Sequence, residues 1–320
     1  MKSTAKKLIV LLCTSAVICG TATAQFGGVR SQFLMSTLLD NPASAGNAQC
    51  VDMRMGVRHQ WAGFEGAPVS NFASLSSRLG GGGAILSHGL GGYVLTDEIG
   101  PWSNTRFSMA YSTKVRLANN ARLSAGVAVG MVQYRLDIGS LEFPEYSASE
   151  DPALFGSATS QTVFPTMDFG LWYEDNTTFA AFSLQNVTST TLTDLAGQTS
   201  SGRIAVVTAG HVVKLDRRFS FRPAAQMRLA SGLPAAIDFQ GTFNMDNRIS
   251  MGLGYRTGSA LVGLMNLKLF DSMTVGYAYD LGVNAFNVAG RGSHEIVLSL
   301  TACDKNDPYV GPNGRCPAYD

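Results

Sequence analysis

The sequence predicts an all-β fold, a transmembrane antiparallel β-barrel of about 14 strands behind a cleaved signal peptide. Three observations carry this. From Met273 to Leu281 the chain reads Met-Thr-Val-Gly-Tyr-Ala-Tyr-Asp-Leu, apolar or aromatic at every odd position and small or polar at every even one, which is a strand with two unlike faces. The same period of two recurs along nearly the whole chain. Met53, Met55 and Val57 stand against Asp52, Arg54, Gly56 and Arg58, and Phe107, Met109 and Tyr111 against Arg106, Ser108, Ala110 and Ser112. Finally, a secretory leader opens the chain, and beyond it no apolar run of about 18 residues remains to cross a bilayer as a helix.

The leader is expected at residues 1–24. Lys2, Lys6 and Lys7 supply a positive start, Leu8 to Ile18 an apolar core, and Ala22-Thr23-Ala24 a small-x-small cleavage site that leaves Gln25 as the first mature residue. Residues 25–50 read as a periplasmic arm or a lumen plug, 51–301 as the barrel and 302–320 as a tail. No Pro/Ser-rich linker or block of charge divides the mature chain, which favours one large closed sheet. The strands read, in order, 51–61, 69–79, 85–97, 103–117, 121–136, 163–174, 177–188, 203–215, 218–230, 235–245, 247–256, 259–270, 272–282 and 292–301. Asn119-Asn120, Met245-Asp246-Asn247 and Asp271-Ser272 have the composition of tight hairpins; Asp137 to Thr162, Ser189 to Gly202 and Gly282 to Arg291 have that of longer outer loops.

In a barrel the polar faces point to the lumen. Arg54, Arg58, Arg78, Arg106, Lys114, Arg116, Arg222 and Arg228 fall there with Asp52, Asp168, Asp238, Asp280 and Glu295. Putting Arg or Lys on the lipid face at the midplane would cost roughly 2–4 kcal/mol, which fixes the phase of the alternation. Such a set either pairs to rigidify the wall or lines a cavity that receives something. Gly126, Gly130, Gly252 and Gly254 lie on the small face, where a wall tolerates glycine if interior packing is tight. His211 falls on the apolar face of its strand, for which a shifted register is the expectation.

The 24 basic residues of the whole chain drop to 21 without the leader lysines, against 23 acidic ones, and no basic stripe with interleaved aromatics is present. Nucleic acid is therefore not an expected partner. His59, His88, His211 and His294 are scattered, no nucleophile-elbow, zinc-protease or phosphate-loop motif occurs, and no cofactor is expected. The chain reads as a non-enzyme. Of the mature cysteines, Cys303 and Cys316 bracket a turn-rich loop that an oxidising compartment could close as a disulfide, while Cys50 reads as a packed thiol.

The segments Asn41-Pro42-Ala43-Ser44-Ala45-Gly46 and Arg58-His59-Gln60-Trp61-Ala62-Gly63-Phe64-Glu65-Gly66-Ala67-Pro68 resemble the opening of the PorP/SprF family of the type IX secretion system. Gly91-Gly92-Tyr93 with Asp97 to Pro101, Met251 to Arg256, Gly276 to Asp280 and Gly292 to Ile296 resemble later segments of that family in the same order. Ser44, where the family more often has an aromatic, and the Cys-bearing tail are departures from it. The resemblance implies a non-enzymatic outer-membrane barrel of the secretion and gliding apparatus, set in outer-membrane lipid. Its implied partners are the periplasmic ring proteins, a large secreted surface adhesin, or both. The candidate partner-binding residues are Asn41, Pro42 and Gly46 of the arm, Arg54, Arg58, Arg106 and Arg228 of the lumen, and Trp61 and Phe64. Pro42 and Gly46 suit a defined docking conformation or, equally, an ordinary turn into the first strand. The alternative function is an outer-membrane channel for small solutes, its lumen arginines selecting anions.

Overall fold

The structure is a computed structural model that describes residues 29–48, 50–79, 85–137, 159–188, 191–194, 197–200, 202–231, 233–283 and 291–302. The wall is made of β1 (Val51–His59), β2 (Val69–Leu79), β3 (Leu86–Ile99), β4 (Trp102–Arg116), β5 (Arg122–Asp137), β6 (Thr159–Glu174), β7 (Thr178–Gln185), β8 (Ile204–His211), β9 (Phe219–Ala230), β10 (Ala236–Met245), β11 (Ile249–Arg256), β12 (Ala260–Phe270), β13 (Met273–Gly282) and β14 (Ser293–Ala302). Each strand pairs antiparallel with its chain neighbours, and β14 returns to β1 in an unbroken ladder from Val51↔Ala302 to His59↔His294. That last pairing closes the sheet and leaves it no edge. The expected strand count and order therefore hold.

The alternation survives in three dimensions. Leu75, Met109, Met131 and Leu253 point outward and are 52%, 60%, 53% and 77% exposed, whereas Ser108, Ser112, Ser124 and Thr242 on the opposite faces are buried. A soluble protein would not leave such a continuous apolar exterior in water; here it is the lipid-facing surface. No described helix is long and apolar enough to cross a membrane.

Three local expectations need correction. His211 needs no register shift: β8 runs in unbroken register against β7 from Ile204 to His211, and the imidazole lies outward at the strand's end, its Nδ1 2.9 Å from Thr178 Oγ1. Proximity to the turn supplies the polar partner that the apolar face lacks. Arg116, assigned to the lumen, is exposed at the end of β4 and donates to Asn120 Oδ1 at 3.0 Å. Within the connection read as a loop between 189 and 202, Thr191–Asp194 and Gly197–Ser200 pair as a short hairpin.

Both described ends of the wall, Val51 and Ala302, lie at the same end of the barrel, and so do the hairpins at 119–120, 245–247 and 271–272, whereas the short connections at 100–101 and 257–259 lie at the other end. Asp246 and Asn247 both have positive φ (53° and 51°), and Arg248 N donates to Met245 O at 3.0 Å, the two-residue geometry whose twist matches the flanking strands. Asn119 and Asn120 also take positive φ between β4 and β5. In the turn after β6, partial desolvation pushes the Asp175 carboxyl up, but hydrogen bonds from the Thr177 and Thr178 amides outweigh it and hold the group below the usual carboxylate range.

Cys50 is disulfide-bonded, which corrects its reading as a free packed thiol. Cys303 and Cys316, and with them the expected link between the two, lie outside the described residues. The β1–β14 ladder ends on Val51 opposite Ala302, and these are the sequence neighbours of Cys50 and Cys303. Peptide mapping without reductant is expected to recover Cys50 cross-linked to the peptide that carries Cys303. Quantitative alkylation of Cys50 before reduction would refute this.

Candidate functional site: the occupied lumen

The N-terminal segment runs inside the barrel. From Arg30 to Asn47 every residue except Met35 is buried, although the segment holds only three short helical turns, Phe33–Met35, Thr37–Asp40 and Pro42–Ser44. Helices of this length are not stable by themselves, so the wall must supply most of what holds them. It does so in three ways.

The first is backbone and amide bonding on the side of β4 to β7. Asn41 caps the Pro42–Ser44 turn by accepting from Ala43 N at 2.9 Å, and Pro42 occupies the first helical position, where its missing N–H costs nothing. The same side chain donates through Nδ2 to Leu171 O and Phe182 O, both at 3.0 Å. Ser183 Oγ and Gln185 Nε2 donate to Asp40 O at 2.5 and 3.0 Å, Ser112 Oγ to Ala45 O at 2.8 Å, and Lys114 Nζ to Ala43 O at 3.0 Å and to Asn47 Oδ1.

The second is packing. Phe33, Leu34 and Ala43 join Trp172 and Phe179, whose rings stack at 5.8 Å, while Leu38, Leu39 and Ala45 join Phe72, Tyr93, Ala110, Ala128 and Val297. Burying each Leu or Phe of this kind contributes roughly 1.5–3 kcal/mol. Wall glycines make room for the segment. A Cβ on Gly126 would lie 2.6 Å from Ala43 Cα, and one on Gly91 3.0 Å from Leu38 Cδ2; at Gly89, Gly170 and Gly276 it would overlap Ala45, Asn41 and Gln32. Gly130, Gly252 and Gly254, by contrast, meet neighbouring wall residues.

The third is a chain of buried ion pairs in the half of the lumen remote from the chain ends. Asp280 accepts from Ser31 Oγ at 2.6 Å, Arg58 Nη2 at 2.7 Å and Arg256 Nη1 at 3.0 Å. Glu295 accepts from Ser31 N at 2.7 Å, Gln32 N at 2.9 Å and Arg58 Nη1 at 3.2 Å. Arg256 Nε continues to Asp238 at 2.6 Å, Arg228 stands between Asp238 and Asp40 at 3.8 and 3.7 Å, and Asp40 pairs with Arg30. Buried charges are tolerable because nearly every one is hydrogen-bonded to an opposite charge.

These contacts locate the residues singled out in the sequence. Asn41, Pro42 and Gly46 are buried within the segment, Gly46 at φ 71° with its Cα side against Gly89 and Arg78. Arg58 and Arg228 belong to the ion-pair chain. Arg54 binds Asp52 Oδ2 at 2.8 Å and Leu34 O at 3.2 Å. Arg106 makes a separate bidentate pair with Asp168 (2.8 and 2.7 Å) and donates to Asn186 Oδ1 at 2.9 Å. Trp61 and Phe64 are elsewhere, in the connection after β1 at the loop end. Trp61 has φ 46° and donates its backbone N–H to Ser293 Oγ at 3.2 Å, Ala62 N donates to Gly292 O at 2.8 Å, and Phe64 is 45% exposed. Ser31, Gln32, Asp40, Lys114 and Gln240 escaped the sequence reading as contact residues. Beyond the reading of 25–50 as an arm or a lumen plug, the wall glycines that face the segment are the further sequence signal of an internal occupant.

A closed antiparallel sheet with an apolar outside and a charged, occupied inside defines an outer-membrane β-barrel. The sequence matches the family described as type IX secretion system membrane protein PorP/SprF over residues 23–300, and the chain belongs to it. No curated protein matches the chain. Solved barrels with a distant likeness include the Acinetobacter baumannii outer membrane protein Omp33 (8% identity, 80% of this chain and 100% of that one, TM-score 0.45). Others are the monoaromatic hydrocarbon channel CymD (15%, 91% and 97%, 0.48) and the Pseudomonas putida toluene transporter TodX (12%, 89% and 96%, 0.45).

Proposed function

We propose that the barrel is a closed docking element of the type IX apparatus, which binds a ring component or the C-terminal domain of a secreted adhesin and passes no solute through its centre. The observation that carries this reading is the buried stretch from Arg30 to Asn47, bonded to strands on both sides of the lumen. Residues enclosed away from the cavity at the end of Val51 and Ala302 cannot touch an outside partner. Asn41, Pro42, Gly46, Arg58 and Arg228 then act by holding the segment, Arg54 both holds it and lines that cavity, and docking falls to the two ends, among them the connection that carries Trp61 and Phe64.

An exposed aromatic held on an ordered connection is the kind of group that anchors a protein interface, where truncation commonly costs about 2 kcal/mol or more. Phe64→Ala is accordingly expected to reduce co-purification of the secretion partner some tenfold or more while the barrel still inserts and resists unfolding in detergent. Normal secretion by this variant, together with a steady ion conductance of the wild-type barrel in planar bilayers, would sink the docking reading in favour of a solute channel.

A further inference from the structure

The lumen is not filled throughout. Between the ion-pair chain and the end where Val51 and Ala302 lie, a cavity of about 110 Å³ remains, bounded by Gln32, Leu34 and Met35 of the segment and by lumen residues of β9 to β14 and β1. Its rim includes Asn247 and Arg248 of the β10–β11 turn, so it opens at the end of Val51 and Ala302, which carries no long connection, as the periplasmic end of outer-membrane barrels does.

The lining has a definite chemistry. Four cationic side chains contribute to it, Arg54 and Arg222 deep in the wall and Arg248 and Lys268 toward the rim, and none of the described lining residues is a carboxylate. Asp52 lies behind Arg54, and the acid nearest Lys268 Nζ, Asp271, is 3.9 Å away and fully exposed. Alongside these cations, Gln32 Oε1, Asn244 Oδ1 and Asn266 Oδ1 are buried acceptors with no hydrogen-bond partner. Gln32 and Asn244 are only 3% and 4% exposed. A buried orphan acceptor is costly and calls for a donor. Water answers the acceptors but leaves the positive charge unneutralised, a fully ionised inorganic anion answers the cations but brings no donor, and a solute cation answers the acceptors but is repelled by the arginines. A carboxylate on a polypeptide answers both, with the oxygens toward the guanidinium and ammonium groups and the adjacent amide N–H toward the orphan carbonyls.

We propose that this cavity binds a carboxylate presented by a polypeptide, an acidic side chain or a chain end, entering from the periplasmic end of the barrel. It deepens the docking reading by giving that partner an acidic element, yet the two can fail separately.

The test is calorimetric titration of the full chain in detergent with a short acidic peptide, its glutamine counterpart and sodium acetate. The acidic peptide is expected to bind, the glutamine peptide to bind about tenfold or more weakly, and the double variant Arg248→Gln/Lys268→Gln to lose a similar factor for the acidic one. Both residues sit at the rim, so the internal contacts of the segment stay intact; Lys268→Arg should retain binding. Absence of binding at millimolar peptide, equal binding of the two peptides, acetate binding as tightly as the peptide, or undiminished binding by the double variant would each overturn the proposal. If partner co-purification persists while peptide binding fails, the cavity proposal alone falls. If peptide binds but no secretion partner ever co-purifies, only the docking reading falls.

Discussion

Replacing Asp280 with asparagine is expected to destabilise the barrel by about 3–5 kcal/mol and to loosen the N-terminal segment within it. Asp280 is 3% exposed and neutralises two arginines at once, Arg58 and Arg256, while binding the Ser31 hydroxyl of the segment. Asparagine keeps the shape but removes the charge, so two guanidinium groups are left in a low-dielectric interior with one carboxylate fewer. Glu295 and Asp238 still face Arg58 and Arg256, which keeps the loss within the range of a single broken pair. The temperature at which the folded band disappears from detergent gels should fall. A cysteine placed at Ser31 should become reactive to membrane-impermeant thiol reagents in the Asp280 variant and stay protected otherwise. Combining Asp280→Asn with Arg256→Gln should cost less than the two changes summed, because the second removes a cation that the first has stranded. Strict additivity and unchanged protection would show that the ion pairs do not retain the segment.

The second large effect is steric. At Gly126 a valine side chain would drive into the Pro42–Ala43 backbone, since even its Cβ would lie 2.6 Å from Ala43 Cα and from Pro42 C. Neither the wall ladder nor a capped helical turn can yield cheaply, and overpacking of this kind costs typically 1–3 kcal/mol. Displacing the turn also forfeits the Asn41 bonds to Leu171 O and Phe182 O and the Lys114 bond to Ala43 O. Gly126→Val is therefore expected to expose the segment to added protease and to raise ion conductance above that of the wild type. Gly263 provides the control. It faces outward, a Cβ there would meet nothing nearer than Tyr279 O at 3.9 Å, and Gly263→Ala should leave protease resistance and conductance as they are. Equal behaviour of the two variants would mean that the segment does not depend on its fit against the wall.

The strands were legible because each one repeats the same statement. An outward Met, Leu or Phe in lipid and an inward Ser, Asp or Arg form a period-two pattern that a one-residue slip would reverse at large cost, so Met53 and Arg54, or Met109 and Ser108, could be assigned to faces from sequence alone. The interior was not legible in this way. Residues 30–47 have no period to read, because a segment enclosed on all sides meets apolar and polar neighbours in no fixed order. Its partners are also remote: Ser31 binds Glu295 across 264 positions and Asp280 across 249. The wall glycines carried a trace of it: Gly126 was assigned to a tightly packed face and residues 25–50 to an arm or plug, but no pattern joined the two. Cys50 was misread for a related reason. Closure of the sheet makes the beginning of β1 and the end of β14 neighbours, which no spacing along the chain reveals.

Closure also bears on how the molecule is built. The seam joins Asp52 and Thr301 across 249 positions, and bringing ends so far apart together carries an entropic penalty before any contact rewards it. The segment from Arg30 to Asn47 touches early strands through Ser112 and Lys114, middle strands through Leu171 and Phe182, and the last strands through Asp280 and Glu295. It therefore ties together parts of the wall that would otherwise meet only when the seam forms. In that role it is a mandrel: the wall closes around it at the girth its contacts set, and a chain lacking it would have to find that girth by strand pairing alone.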